Sequence, residues 1–185
     1  MRVITGTARG RKLQTLEGLD VRPTTDMVKE AVFNIIQFQV PCARVADVFA
    51  GSGQMGIEAL SRGAATAVFV DSAKASLDVI RQNLQTTGFT RQGTVLASDA
   101  AAFLSHAVEK YDIIFLDPPY DKGFGEALLP LLARPLADGG VILYEHSKEE
   151  VLPDEGYGLV KKKDYRYGKI VVTRYEKATE GEATE

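Results

Sequence analysis

The sequence holds one cysteine, Cys42, in 185 residues. That excludes an internal disulfide and any cluster of cysteine metal ligands, and the usage fits a reducing cytoplasm. With no base beside it, Cys42 reads as a small buried residue and not as a nucleophile. Histidine is almost as scarce. His106 falls on a helical stretch and His146 just after a strand. Neither has a partner for acid–base work or a metal-ligand spacing, so both read as structural and no metal site is expected. No apolar run is long enough to cross a bilayer, and Met1-Arg2-Val3-Ile4-Thr5-Gly6 lacks the apolar stretch of a signal peptide. Internal repeats and interdomain linkers are absent too. The expectation is one cytoplasmic domain, monomeric and away from membranes.

Acid is not spread evenly. The net charge is −3, but the last ten residues carry four Glu and one Lys, which leaves the rest of the chain about neutral. Within that body, Arg2, Arg9, Arg11 and Lys12 open the sequence with no acid among them. A second basic cluster is Lys161, Lys162, Lys163, Arg166, Lys169 and Arg174. Basic patches on a neutral body suit a polyanion held at one place. Solvated surface charge gives the same pattern.

The stretch Val45-Ala46-Asp47-Val48-Phe49-Ala50-Gly51-Ser52-Gly53-Gln54-Met55-Gly56 organises what is present. It reads as an apolar strand, a glycine-rich bend and a helix from Ile57 to Arg62. Glycines at 51, 53 and 56 permit a tight turn and a close-lying ligand. The new helix offers free N–H groups to a carboxylate or phosphate. Asp71, twenty positions after Gly51 and at the end of a second apolar strand, stands where doubly wound folds hold a ribose.

Residues 2–4 and 11–16 read as two short strands around Gly6-Thr7-Ala8-Arg9-Gly10, a hairpin arm outside the main domain. After Arg22-Pro23-Thr24-Thr25-Asp26, residues Val28, Ala31, Val32, Ile35 and Ile36 recur at helical spacing. From Arg44, strands 44–49, 67–70, 93–96, 111–116 and 140–144 alternate with helices 56–62, 73–86, 100–108 and 123–133. That alternation predicts an α/β, Rossmann-like, mostly parallel sheet covered on both faces. Leu159–Lys163 and Lys169–Tyr175 read as a closing antiparallel hairpin. The domain is expected to span 1–175, with a basic arm at 1–22 and a core at 44–175. The acidic remainder, 176–185, reads as disordered.

Four aspartates, Asp47, Asp71, Asp99 and Asp117, fall at or near strand ends, where ligands of parallel sheets bind. Such a ring repels a pyrophosphate. It suits S-adenosylmethionine, which brings a sulfonium, an ammonium and a ribose diol, with its carboxylate placed at the helix start after Gly53. Asp117-Pro118-Pro119-Tyr120 follows the fourth strand. An aspartate and a proline carbonyl can accept both hydrogens of an exocyclic amine, and an aromatic ring can stack on a base. A proline-stiffened turn is the plainer reading.

The chain resembles the class I methyltransferases, and within them the small-subunit ribosomal RNA guanine-(N2)-methyltransferases. The resemblance covers residues 1–175. It rests on Ile4-Thr5-Gly6-Thr7-Ala8-Arg9-Gly10-Arg11-Lys12-Leu13, on Arg22-Pro23-Thr24-Thr25-Asp26 and on Val28-Lys29-Glu30-Ala31-Val32-Phe33-Asn34. The strand-and-glycine motif from Asp47 to Gly53, Gly56-Ile57-Glu58-Ala59-Leu60-Ser61-Arg62-Gly63-Ala64, and Asp117-Pro118-Pro119-Tyr120 complete it. Met27 stands where that family has a basic residue and Asp71 where Glu is commoner; Gln54-Met55 departs from small and apolar residues. The resemblance implies transfer of a methyl group from S-adenosylmethionine to N2 of one guanine of 16S ribosomal RNA, guanine 966 in standard rRNA numbering. It implies a substrate within an assembling or assembled small subunit. Asp117, Pro118, Pro119 and Tyr120 are then catalytic. Asp47, Phe49, Ala50, Gly51, Gly53, Gly56, Asp71, Ser72, Asp99 and Ala100 hold the cofactor, while Arg9, Arg11, Lys12 and Arg22 hold RNA. Three alternatives stand: methylation of another amino group, an NAD(P)-linked oxidoreductase using Gly51-x-Gly53-x-x-Gly56, and a non-catalytic RNA-binding module.

Overall fold

The computed structural model describes residues 1–16, 26–120 and 122–179. Arg22, Pro23, Thr24, Thr25 and the last six residues of the acidic tail lie outside them. A helix, α1 (Asp26–Ile35), precedes an alternation of β1 (Arg44–Val48), α2 (Gln54–Ser61), β2 (Thr66–Asp71), α3 (Lys74–Thr87), β3 (Gly93–Ala97), α4 (Ala100–His106), β4 (Tyr111–Leu116), α5 (Phe124–Leu132) and β5 (Leu136–Ser147). Then come β6 (Glu155–Gly156), β7 (Leu159–Tyr167) and β8 (Ile170–Lys177). The eight strands form one sheet in the order β3-β2-β1-β4-β5-β8-β7-β6. β1 to β5 run parallel and β8, β7 and β6 antiparallel.

β1 and β4 lie centrally and are buried on both faces, so their sequences are near-continuous apolar runs. Residues alternate between two cores. Val45, Phe69, Ile113, Phe115 and Leu143 point toward α1, α2 and α3, with Phe33, Ile57 and Ile80. Ala46, Val68, Ile114 and Ile142 point toward α4 and α5, with Leu104, Leu128 and Leu132. A Cβ on Gly56 would sit 2.3 Å from the Phe69 ring, so glycine there serves the packing of α2 onto the sheet.

Four expectations change. The N-terminal hairpin closes on a single bridge, Arg2 to Lys12, and is docked on the domain instead of standing clear of it. Val3, Ala8 and Leu13 are buried, and Gly6 sits so close to the Ser61 backbone that no side chain fits. The Thr7 and Ala8 N–H groups donate to the Ser61 carbonyl and hydroxyl, at 2.8 and 2.9 Å. Cys42 is exposed, at φ 63° in the turn from α1 to β1, and the neighbouring Ala43 takes the buried place. His146 lies inside β5, which extends beyond both ends of 140–144, and is buried between strands. β8 runs to Lys177, so the first residues of the acidic tail are strand.

Candidate active site

Strand register brings the acids to one rim. Asp47 pairs with Phe69 and Phe115 and faces the α1–α3 side. Asp71, two residues past Phe69, ends β2; Asp117, two past Phe115, follows β4. The two flank the carboxyl end of β1, and the Asp117 N–H donates to the Val48 carbonyl at 3.4 Å.

The glycine bend is held by these carboxylates. Asp71 accepts the Gly51 N–H and the Ala73 N–H, each at 2.9 Å. Asp47 accepts the Gly56 N–H at 2.9 Å within the first turn of α2. A ligand carboxylate expected at that helix start thus meets a carboxyl of the chain itself. Burial pushes Asp47 up from 3.8 to about 7, partly opposed by the Gly56 hydrogen bond, with Asp71 adding to the rise. The folded protein therefore keeps a proton that the unfolded chain releases, and stability falls as pH rises from near 4 to near 7. Asp47→Asn keeps the acceptor and removes the charge. In urea unfolding its stability relative to the parent should rise from pH 5 to pH 8; a difference independent of pH would refute the buried proton.

The remaining sequence-derived residues fall as follows. Phe49, at φ 63°, turns its ring edge-on to Phe124 of α5, 5.0 Å between centroids. Ala50 is buried and its N–H donates to Val70. Gly53, at φ 77°, is the N-cap of α2 and has no side chain to cap it, so the Gly56 N–H of the first turn is met by Asp47 instead. Ser72 is exposed. Asp99 caps α4 through the Ala102 N–H at 2.8 Å, and Ala100 begins that helix, buried. Pro118 is buried, while Asp117 and Pro119 are exposed. Arg9, Arg11 and Lys12 are exposed on the docked hairpin, whose turn rests on the C-terminal end of α2, the end remote from the glycine bend. Arg22 lies outside the described residues.

Glu145, and a role for Gln54, escaped the sequence reading. Glu145 accepts the Tyr120 hydroxyl at 2.7 Å, fixing that ring beside the carboxyl end of β5. The signal was available, since Glu145 directly follows the strand 140–144 expected from the sequence. Gln54 begins α2, and its Oε1 is buried with no hydrogen bond among the described residues. At Gly51, φ 55°, the space where a Cβ would stand is open. An open glycine cradle, an unpaired buried acceptor and two carboxylates fit a ligand carrying hydroxyls and positive charge.

Residues 1–176 match the family model described as Conserved hypothetical protein 95. The sequence is 34% identical to ribosomal RNA small subunit methyltransferase D of Escherichia coli (strain K12), across 99% of this chain and 93% of that protein. The chain belongs to that methyltransferase family. YlbH of Bacillus subtilis (strain 168) is 41% identical across 96% of this chain and 99% of its own. The solved structure of yhhF from Escherichia coli superposes with a TM-score of 0.85 at 35% identity, covering 96% of this chain and 97% of that one. The sheet is therefore that of a class I methyltransferase, whose methyl donor is S-adenosylmethionine. The dinucleotide reading of Gly51 to Gly56 is set aside.

Proposed function

We propose that this enzyme methylates the exocyclic N2 of a guanine in small-subunit ribosomal RNA, presented within an assembling or assembled subunit in the cytoplasm. The observation that carries the reading is the placement of Asp117-Pro118-Pro119-Tyr120 at the end of β4, immediately beside the strand that leads into the glycine bend. When bound there, S-adenosylmethionine supplies an electrophilic methyl group on a sulfonium. The chain does the rest by positioning. Asp117 and a proline carbonyl accept the two amine hydrogens, which aims the nitrogen and stabilises the positive charge that develops on it. Tyr120, its hydroxyl tied to Glu145, presents a fixed ring on which a base drawn out of its stack can lie. Asp71 takes the ribose diol while holding Gly51 in place.

Asp71→Ala should weaken cofactor binding at least tenfold by calorimetry, through loss of both the ribose acceptor and the Gly51 anchor. An unchanged dissociation constant would remove Asp71 from the cofactor site. The reading itself is tested with methyl-tritiated donor and ribosomal particles from a deletion strain. Label should appear as N2-methylguanosine at one position of the small-subunit RNA. Label in another nucleoside would leave the fold's chemistry and change the substrate; no label in any particle would overturn the proposal.

A further inference from the structure

Five of the six cations of the C-terminal basic cluster separate once their surroundings are known. Arg174 is engaged by Glu176 at 2.5 Å, Lys161 by Asp154 at 2.6 Å, and Lys163 lies over the Tyr165 ring. Arg166 and Lys169 are exposed and form no ion pair among the described residues. Both belong to the tip of the β7–β8 hairpin, and the register fixes where that tip points. β8 is antiparallel to β5, with Val172 opposite Glu145 and Ile170 opposite Ser147. The tip therefore projects past the carboxyl end of β5, roughly 10 Å beyond Glu145 at strand spacing. This is the rim that carries Asp117 and Tyr120.

The tip is also preformed. Tyr167 pairs with Ile170, so Gly168 and Lys169 make a two-residue turn, with Gly168 at φ 64° as such a turn requires. The Lys148 N–H donates to the Lys169 carbonyl at 3.2 Å, which adds a third exposed cation to the same surface. Tyr165 and Tyr167 stand half-buried along the α1 side of the hairpin. Nearby acid is largely committed elsewhere. Asp164 accepts the Thr173 hydroxyl and Glu145 accepts Tyr120; among the described residues Glu149 lies against Lys148, exposed, at 3.8 Å.

We propose that this tip, Lys148, Arg166 and Lys169 with the tyrosine edge beside it, is the surface on which the RNA backbone docks to present a base to Asp117. The inference rests on the proposed RNA substrate and deepens it. Fixed cations beside the reacting centre hold phosphates without reading sequence, and a rigid turn loses little freedom on binding. The turn that carries Arg9 rests on Ser61 at the opposite end of the strands, and Arg11 and Lys12 lead back from it toward Gln14; these cations give a second, separate contact.

The test measures RNA affinity against salt for the full-length enzyme, using small-subunit RNA with its particle proteins. Lys148→Ala, Arg166→Ala and Lys169→Ala combined should weaken binding at least tenfold at 0.1 M salt. They should flatten the slope of log affinity against log salt by about 2 to 3, one for each lost phosphate contact. Cofactor affinity should stay within about twofold of the parent, and the thermal midpoint should not move. Lys169→Glu alone should weaken binding more than Lys169→Ala. Arg9→Ala, Arg11→Ala and Lys12→Ala combined should cost less than the tip variant. An unaltered slope in the tip variant, with parental methyl transfer intact, would overturn the docking surface alone. A parent that neither binds nor methylates ribosomal RNA would overturn the substrate reading and this surface with it.

Discussion

Asp117→Ala is expected to lower the single-turnover rate by about 10²–10³-fold, the usual effect of removing one preorganised electrostatic contact at a developing charge. The amine nitrogen of guanine is a weak nucleophile because its lone pair is delocalised into the ring, so the barrier depends on how firmly its hydrogens are held. The backbone at Asp117 is fixed by its N–H to Val48, and Pro118 is buried behind it, so truncating the side chain should leave the loop in place. Cofactor titration should therefore stay within a few-fold of the parent. Asp117→Asn keeps one acceptor oxygen but loses the charge, and should fall between the two. If cofactor binding dropped as far as turnover, Asp117 would be a ligand of the donor and not of the acceptor amine.

The largest stability effect is expected far from that chemistry. Glu58→Ala should cost about 3–5 kcal/mol in urea unfolding, the range for breaking one side of a buried ion pair. Glu58 is fully buried on α2. It accepts the Ile4 and Thr5 N–H groups at 2.8 and 3.0 Å and Arg62 at 2.8 Å, with the buried Lys29 ammonium of α1 at 3.6 Å. Burial pulls the Lys29 pKa down, and Glu58 is the strongest of the groups that raise it again. Lys29 also donates to the Arg2 carbonyl at 2.7 Å. One carboxylate thus ties the hairpin, α1 and α2 together. Pairing Glu58→Gln with Lys29→Met should cost less than the sum of the separate changes, because the second removes the charge that the first strands. A loss below about 1 kcal/mol for Glu58→Ala would show that the hairpin is held by its apolar residues alone.

How much of this could be read beforehand depends on how local the cause is. The strand–glycine–helix unit at 45–61 and the Asp-Pro-Pro-Tyr turn are set by neighbouring residues, and their place in the fold follows from periodicity. Lys29 and Glu58 sit inside apolar helical faces, yet each reads as an ordinary surface charge until a partner 29 positions away is brought against it. Cys42 was misplaced for a related reason: burial there is decided by the turn from α1 to β1, which exposes one residue and buries the next. The basic cluster was visible as a run of Lys and Arg. Which of its members reach the rim of Asp117 and Tyr120 needed the antiparallel register of β5 with β8. Glu145 carried a legible signal that was not used.

The docked hairpin has a consequence for synthesis. Its anchors lie 53, 54 and 69 residues further along the chain, from Thr5 and Ile4 to Glu58 and from Gln14 to Asn83. Asn83 also donates to the Ser52 carbonyl in the glycine bend at 2.9 Å. At about 5–20 residues per second, the nascent amino-terminal strands wait roughly 3–14 s for α3 to leave the ribosome. The segment translated first is thus seated only after these later partners appear, and its docking braces the glycine bend through Asn83.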